Sequence, residues 1–476
     1  MNETERQDRV FLGTEPVGKL MLRLAAPSIL AQIINVLYNI VDRIYIGHMP
    51  RVGALALTGL GVCAPLLIIV SAFAMLSAMG GAPLASIAMG RGDHARAERI
   101  LGMCFVLQLL LSALLTAALL LWSRPLLLLF GASANTISYA VQYMNIYALG
   151  TVFVQVTLGM NAFITAQGNA RTSMLTVLIG AVCNIVLDPI FIFALGMGVR
   201  GAALATVLSQ GVSCVWVLHF LTTSKSVLRL RRANVRLDRT VLPCIALGAS
   251  PFIMQASESV LSVCFNASLL RYGGDMAVGA MTILSTVMQF ALMPLQGFTQ
   301  GAQPITSYNY GARNAPRVRK TVRLLLVCCC SYATLLWAAV QLFPGAFAAM
   351  FTSDAALVAY TRPALRVYLA VLPLMGAQNA CQMTFLSLGN AKTSIFLAVF
   401  RKFIMLIPLI YLLPALLPDK VMAVYLAEPL ADTAAVLCTL LLFWREFRRT
   451  MRALEAGAKP GAAAPQDEAR PGTLSV

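Results

Sequence analysis

Three carboxylic acids stand inside otherwise apolar stretches of this chain: Asp42 in LYNIVDRIYIG, Asp188 in CNIVLDPIFIF and Glu258 in MQASESVL. An ionisable side chain at the centre of a bilayer costs at least ~2.5–3.5 kcal/mol, so acids kept there mark routes for protons, ions or charged ligands. Asn184 precedes Asp188 by four residues, which puts amide and carboxyl on one helical face. Pro189 has no backbone N–H, so the carbonyl of Ile185 loses its usual donor about one turn from Asp188. Carboxylate, amide oxygen and freed carbonyl together form an acceptor-rich, anionic spot suited to a proton or to a hard cation such as Na⁺. Each acid also has a structural alternative. For Asp188 it is an N-cap or a structural break in a helix that restarts at Pro189. For Asp42 it is a salt bridge to Arg43, although adjacent helical positions point about 100° apart. Glu258 lies in a polar run, Gln255 to Ser259, which leaves both readings open.

The elements that must hold these groups are membrane spans. Hydrophobic residues make up 59% of the 476 positions and charged residues 12%, against about 25% charged in soluble domains. Apolar stretches of about 20 residues, enough to cross a ~30 Å hydrocarbon core, recur with short polar connectors between them. They predict an all-α integral membrane protein of about twelve transmembrane helices, over 20–47, 54–82, 97–122, 135–163, 171–195, 199–222, 240–271, 276–308, 318–345, 356–388, 392–416 and 421–446.

The formal charge of +17 raises the question of nucleic-acid binding, and the placement of the bases answers it. Arg91, Arg96 and Arg99 follow the second span. Lys225, Arg229, Arg231, Arg232, Arg236 and Arg239 follow the sixth, Arg313, Arg317, Arg319 and Lys320 the eighth, and Arg445, Arg448, Arg449 and Arg452 the last. The alternate connectors carry only scattered bases. By the positive-inside rule the basic connectors are cytoplasmic, both termini lie inside, and the charge serves topology and anionic lipid, with no nucleic-acid partner expected. The expected location is the cytoplasmic membrane, multi-pass. The eleven cysteines lie almost all within apolar spans without metal or pairing spacing and read as small buried hydrophobes. The first span begins without a cleavage site and is read as retained.

A duplication orders the spans. GGAPLASIAMGRGDHAR matches TQGAQPITSYNYGARNAPR, with Gly80 and Gly301, Pro83 and Pro304, Ser86 and Ser307, Gly90 and Gly311, and Arg96 and Arg317 each 221 residues apart. GNARTS at 168–173 and GNAKTS at 389–394 share that offset. A repeat of six spans returns the chain to its starting side, so two parallel six-helix bundles are expected, related by a pseudo-two-fold axis along the membrane normal, with a shared cavity near the midplane. The expected units are a cytoplasmic segment 1–19, an N-terminal bundle 20–224, a basic cytoplasmic linker 225–239, a C-terminal bundle 240–448 and a disordered cytoplasmic tail 449–476.

No complete phosphate-binding loop accompanies GNARTS or GNAKTS, and His48, His94 and His219 are isolated, so neither ATP-driven transport nor metal catalysis is expected and the chain does not read as an enzyme. With PSILAQIINVLYNIVDRIYIG, GRGDHARAERILG, NIVLDPIFIFALGMGVRGAALATVLSQ and GFTQGAQPITSYNYGARN in hand, the chain resembles the multidrug and toxic compound extrusion (MATE) family, and its prokaryotic members most, from about Lys19 to Arg448. That resemblance implies a cation site formed by Asp42, Asn184, Asp188 and Thr206, which would hold Na⁺ if the coupling ion is a metal. It implies substrate or proton-relay roles for Tyr143, Tyr147, Glu258 and Gln303, and a hinge at Pro27. The offset puts Leu409 opposite Asp188, and pairing Pro27 with Pro251 puts Asn266 opposite Asp42, so coupling is expected mainly in the first bundle. The expected activity is export of small amphiphilic or cationic compounds by a monomer, in exchange for H⁺ or Na⁺ and without a cofactor. The rival is a flippase for lipid-linked sugars of the same superfamily, which would want a cationic cavity, whereas the bases within spans are Arg43 and the pair Arg401-Lys402.

Overall fold

A computed structural model describes residues 11–456 apart from 51, 225 and 353. The stretches 1–10 and 457–476, which include most of the segments read above as the cytoplasmic N-terminus and the disordered tail, lie outside the described residues, as do Arg51 and Lys225 of the charge pattern.

Twelve spans are present among the described residues, in two bundles of six. The first bundle comprises Val17–Gly47, Gly53–Gly90, His94–Leu129, a fourth span in two pieces (Ile137–Leu149 and Thr151–Ala166), a fifth (Ala170–Pro189, widening into a π-helical turn over Ile190–Ala194) and Val199–Thr222. The fourth span bends by 57° at Gly150. The second bundle repeats the plan. Its tenth span is Ala355–Tyr368 followed by Leu372–Ser387, bent by 50°, and its eleventh, Ala391–Leu416, contains a π-helical stretch at Phe400–Leu406. The ninth and twelfth are Ala315–Leu342 and Lys420–Glu455. The last helix therefore runs seven residues into the stretch 449–476 read from composition as a disordered tail.

The seventh and eighth spans are the arms of one 71-residue helical stretch, Val241–Gly311. An unbroken helix of that length would measure roughly 105 Å, more than twice a membrane with its headgroups. Gly274 breaks it with φ 63° and ψ −159°, a conformation only glycine reaches easily, so the chain reverses there.

The duplication extends to backbone geometry. Asp93 caps the third span by accepting from Arg96 N at 2.9 Å, and Asn314, its repeat mate, caps the ninth through Arg317 N at 3.2 Å. Left-handed turns fall at Gly92 and Arg313 and again at Gly168 and Gly389, all at the same offset.

Glycines set how the bundles meet. A Cβ at Gly80 would collide with the Cys244 carbonyl, one at Gly248 with Leu76, one at Gly90 with Tyr308 and one at Gly311 with Ile87. Gly297 and Gly301 let the eighth span press against the backbone of Ile29 and Ala25 in the first. All six sit in the half of the molecule that bears the basic connectors. In the opposite half Gly61 and Gly274 meet nothing within 4 Å, and Gly59 and Gly279 face only their own bundle. The chain start fastens the same closed end: Asn309 Nδ2 donates to Leu12 O at 2.9 Å and Arg317 donates to Glu15 O at 2.7 Å. The connector after the sixth span is held down by Gln167, which accepts from Val227 N, and by Glu98, which pairs with Arg231 at 3.0 Å.

Candidate functional site

The first, fourth, fifth and sixth spans converge on a small cavity of about 60 Å³ inside the first bundle, into which several polar side chains project. Its wall carries Asn35 and Tyr38 from the first span, Thr157 and Asn161 from the fourth, Asn184 from the fifth, and Thr206, Ser209 and Gln210 from the sixth. Small residues make the room: Gly180 and Ala181 line the fifth-span side, and Gly180 is so close to Ser213 that a side chain there would strike the hydroxyl. An apolar chain that points such side chains into a cavity invites water, ions or polar ligand groups.

Asp42 and Asp188 come close to each other beside this cavity, both buried. Asn184 Nδ2 donates to Asp188 Oδ1 at 3.3 Å, as the i, i+4 spacing predicts. Three buried oxygens, Asp42 Oδ1, Asp188 Oδ2 and Asn184 Oδ1, have no hydrogen-bond partner. Buried acceptors left bare are costly, so this is a place that a proton or an oxygen-seeking cation would stabilise. Asp188 caps no helix, although the helix does change to a π-helical turn just after Pro189, and Arg43 is exposed and forms no ion pair with Asp42.

Thr206 donates to Ala202 O at 3.0 Å and lies near Tyr143, whose ring stacks on Tyr147 with centroids 6.2 Å apart. Tyr147 stands one turn before the Gly150 break, and the bent span brings Tyr143 within electrostatic reach of Asp42 and Tyr147 within reach of Tyr38. Tyr38, not singled out in the sequence, belongs to the same group: it lines the cavity and lies within electrostatic reach of both Asp42 and Asp188. Its signal was available in its spacing, one helical turn before Asp42. Pro27 lies in the first span between Ala25 and Ile29, where the eighth span presses closest.

Two of the sequence-selected residues lie elsewhere. Gln303 is buried in the eighth span with its Nε2 unpartnered, neither lining this cavity nor bonded to its acids. Glu258 is in the second bundle, 2.8 Å from Lys402 Nζ. The second bundle also holds buried acids away from the repeat positions of Asp42 and Asp188. Glu428 and Asp432 of the twelfth span, passed over in the sequence, are both buried and pair with Arg401 at 3.5 and 2.6 Å. Tyr368, the repeat mate of Tyr147, stands beside them at the break of the tenth span. Among the described residues no group of three His, Cys, Asp or Glu side chains is arranged to hold a metal ion.

The MatE family model matches residues 27–190 and 251–412, one copy in each bundle. The multidrug export protein MepA of Staphylococcus aureus is 24% identical over 438 residues, covering 91% of this chain and 95% of that protein. MepA of Staphylococcus haemolyticus is 23% identical over 404 residues, covering 84% and 88%. Among solved structures, a MATE transporter in the bent conformation superposes with a TM-score of 0.87 at 22% identity, covering 95% of this chain and 99% of that one.

Proposed function

Since the chain belongs to the MatE family of multi-pass membrane transporters, we propose that it is a secondary antiporter that expels small amphiphilic or cationic compounds from the cell in exchange for H⁺ or Na⁺. The observation that carries this reading is the buried pair Asp42 and Asp188, side by side at a cavity in the first bundle, in no ion pair and with unpartnered oxygens between them and Asn184. A cation entering there can be a proton, which would bridge the two carboxyls, or Na⁺, which would collect oxygens from Asp42, Asp188, Asn184 and Thr206. The relatives named for multidrug export support the cargo class.

The glycine contacts support alternating access. With the basic connectors placed in the cytoplasm, the bundles are tightly joined on the cytoplasmic side, so the state described is closed inward. In this reading, occupancy of the first-bundle site reshapes the first span near Pro27, where it leans on Gly297 and Gly301, and so loosens the seal. One charge crossing 100 mV supplies ~2.3 kcal/mol, enough for a roughly fortyfold gradient. A monocation exchanged for one H⁺ moves no net charge and draws only on the proton's chemical gradient.

A flippase for lipid-linked sugars would want free cationic groups for a diphosphate, and Arg401 and Lys402 are instead committed to carboxylates. The test is efflux of a fluorescent cation from vesicles holding the purified chain, with pH and Na⁺ gradients imposed separately. Efflux driven by one of them is expected, and a response to neither would overturn the antiport reading.

A further inference from the structure

The densest group of charges in the spans plays no part in that scheme. Glu258, Arg401, Lys402, Glu428 and Asp432 come together from the seventh, eleventh and twelfth spans. The π-helical stretch Phe400–Leu406 lets two adjacent bases both serve the cluster, Arg401 toward the twelfth span and Lys402 toward the seventh.

The two bases are held differently. Arg401 is buried between two buried acids and is fixed by a short 2.6 Å bond to Asp432. Lys402 is buried, with a side chain 5% exposed, but its partner Glu258 is 55% exposed. The Glu258 carboxylate on the seventh span is half-exposed, and the hydroxyl of its neighbour Ser259 reaches across to Pro65 of the first bundle at 3.4 Å, which puts this turn of the helix close to where the bundles meet. Three carboxyl groups face two bases, so one negative charge is in excess, and Asp432 Oδ2 is fully buried without a partner. Lys402 also lies near enough to Glu428 to act on its charge. A lysine is a compact charge on a flexible stem and can change partners where an arginine fork cannot.

We propose that Glu258 anchors the cationic group of a transported amphiphile and that Lys402 is a tethered cation holding its place. The incoming monocation takes the Glu258 carboxylate, and the lysine ammonium moves inward to Glu428 and the bare oxygen of Asp432. The exchange rests on the efflux reading and assigns that reading's charge selectivity to one ion pair. It admits cations without leaving a naked acid between the bundles when no cargo is bound, and it gives no advantage to neutral amphiphiles.

The test is direct binding to the purified full-length chain in lipid nanodiscs, with a lipophilic phosphonium monocation and a neutral amphiphile of similar size as probes. Lys402→Met, by freeing Glu258, should tighten phosphonium binding about tenfold, and Glu258→Gln should weaken it by about the same factor, between the worth of exposed and of buried ion pairs. Neutral-probe affinity should stay put in both. Should Lys402→Met not fold with three acids around one arginine, the double variant Lys402→Met with Glu428→Gln restores the balance and must show the same tightening. Unchanged phosphonium affinity in Glu258→Gln, or equal shifts for both probes, overturns the exchange while leaving the efflux reading intact. A wild-type chain that binds neither probe overturns the efflux reading and the exchange with it.

Discussion

The two bundles share one scaffold and treat buried charge in opposite ways. In the first, Asp42 and Asp188 face each other with no base to answer them, around a space lined by amides, hydroxyls and small residues. In the second, Arg401 and Lys402 fall at the repeat positions of Gly180 and Ala181, the small residues that open the first-bundle cavity, and they fill the space with tethered cations and their acids. The broken spans are equivalent down to Tyr147 and Tyr368, but the backbone differs where the bases stand: Phe400–Leu406 is π-helical, whereas the repeat positions 179–185 lie in regular α-helix. A site whose positive charge must arrive from outside responds to an ion gradient. A site that carries its own positive charge does not, and can respond to cargo instead.

The sharpest way to break this comparison is Asp188→Asn. At normal membrane abundance, ion-driven efflux in vesicles should fall to the level of vesicles without protein, because no acidic pair remains to hold the ion. Unchanged efflux would remove the first bundle from coupling. Next is Arg401→Leu, which strands Asp432 and Glu428 without their base and should cost about 3–5 kcal/mol. The loss should appear as a lowered unfolding midpoint in detergent, largely restored when Asp432→Leu is added. A lone Arg401→Leu as stable as wild type would mean that the second-bundle network is not a closed ion-pair system. Third, Gly90→Leu should slow efflux several-fold, because its side chain would meet Tyr308 at the seal, whereas Gly61→Leu, in open space, should leave the rate near wild type. Equal rates in the two variants would mean that the seal does not need its glycines. The smallest effect is expected from Tyr147→Phe and Tyr368→Phe. Each removes a single hydroxyl, with Tyr147→Phe altering the ion dependence of efflux and Tyr368→Phe leaving it unchanged.

Much of the scaffold was legible because it rests on local or repeated signals. Span length and apolarity follow from the bilayer, and the single offset of 221 carried the two-bundle plan and even the matched caps at Asp93 and Asn314. The pair Asn184 and Asp188 was legible for the same reason, since four-residue spacing is a helical neighbourhood. What escaped was long-range or masked by composition. Glu258 and Lys402 are 144 positions apart, and no periodicity links them. Glu428 and Asp432 lie in a span whose basic carboxyl-terminal end, Arg445 to Arg452, drew attention to topology and away from its acids. Gly274 falls in the gap between the predicted spans 240–271 and 276–308, but its left-handed backbone has no local signal beyond the glycine itself.

The hydrogen bonds from Asn309 and Arg317 to the carbonyls of Leu12 and Glu15 carry a consequence for how the molecule is made. Leu12 and Glu15 leave the ribosome long before Asn309 and Arg317, and receive these partners only after the eighth span and the start of the ninth have been inserted. The opening helix must therefore wait in the bilayer, its amino-terminal carbonyls served by water, until the second half of the duplication arrives. Biogenesis ends by tying an older part of the chain to a much younger one, and a half-length product, however well its own six spans assemble, cannot complete the lock on its closed side.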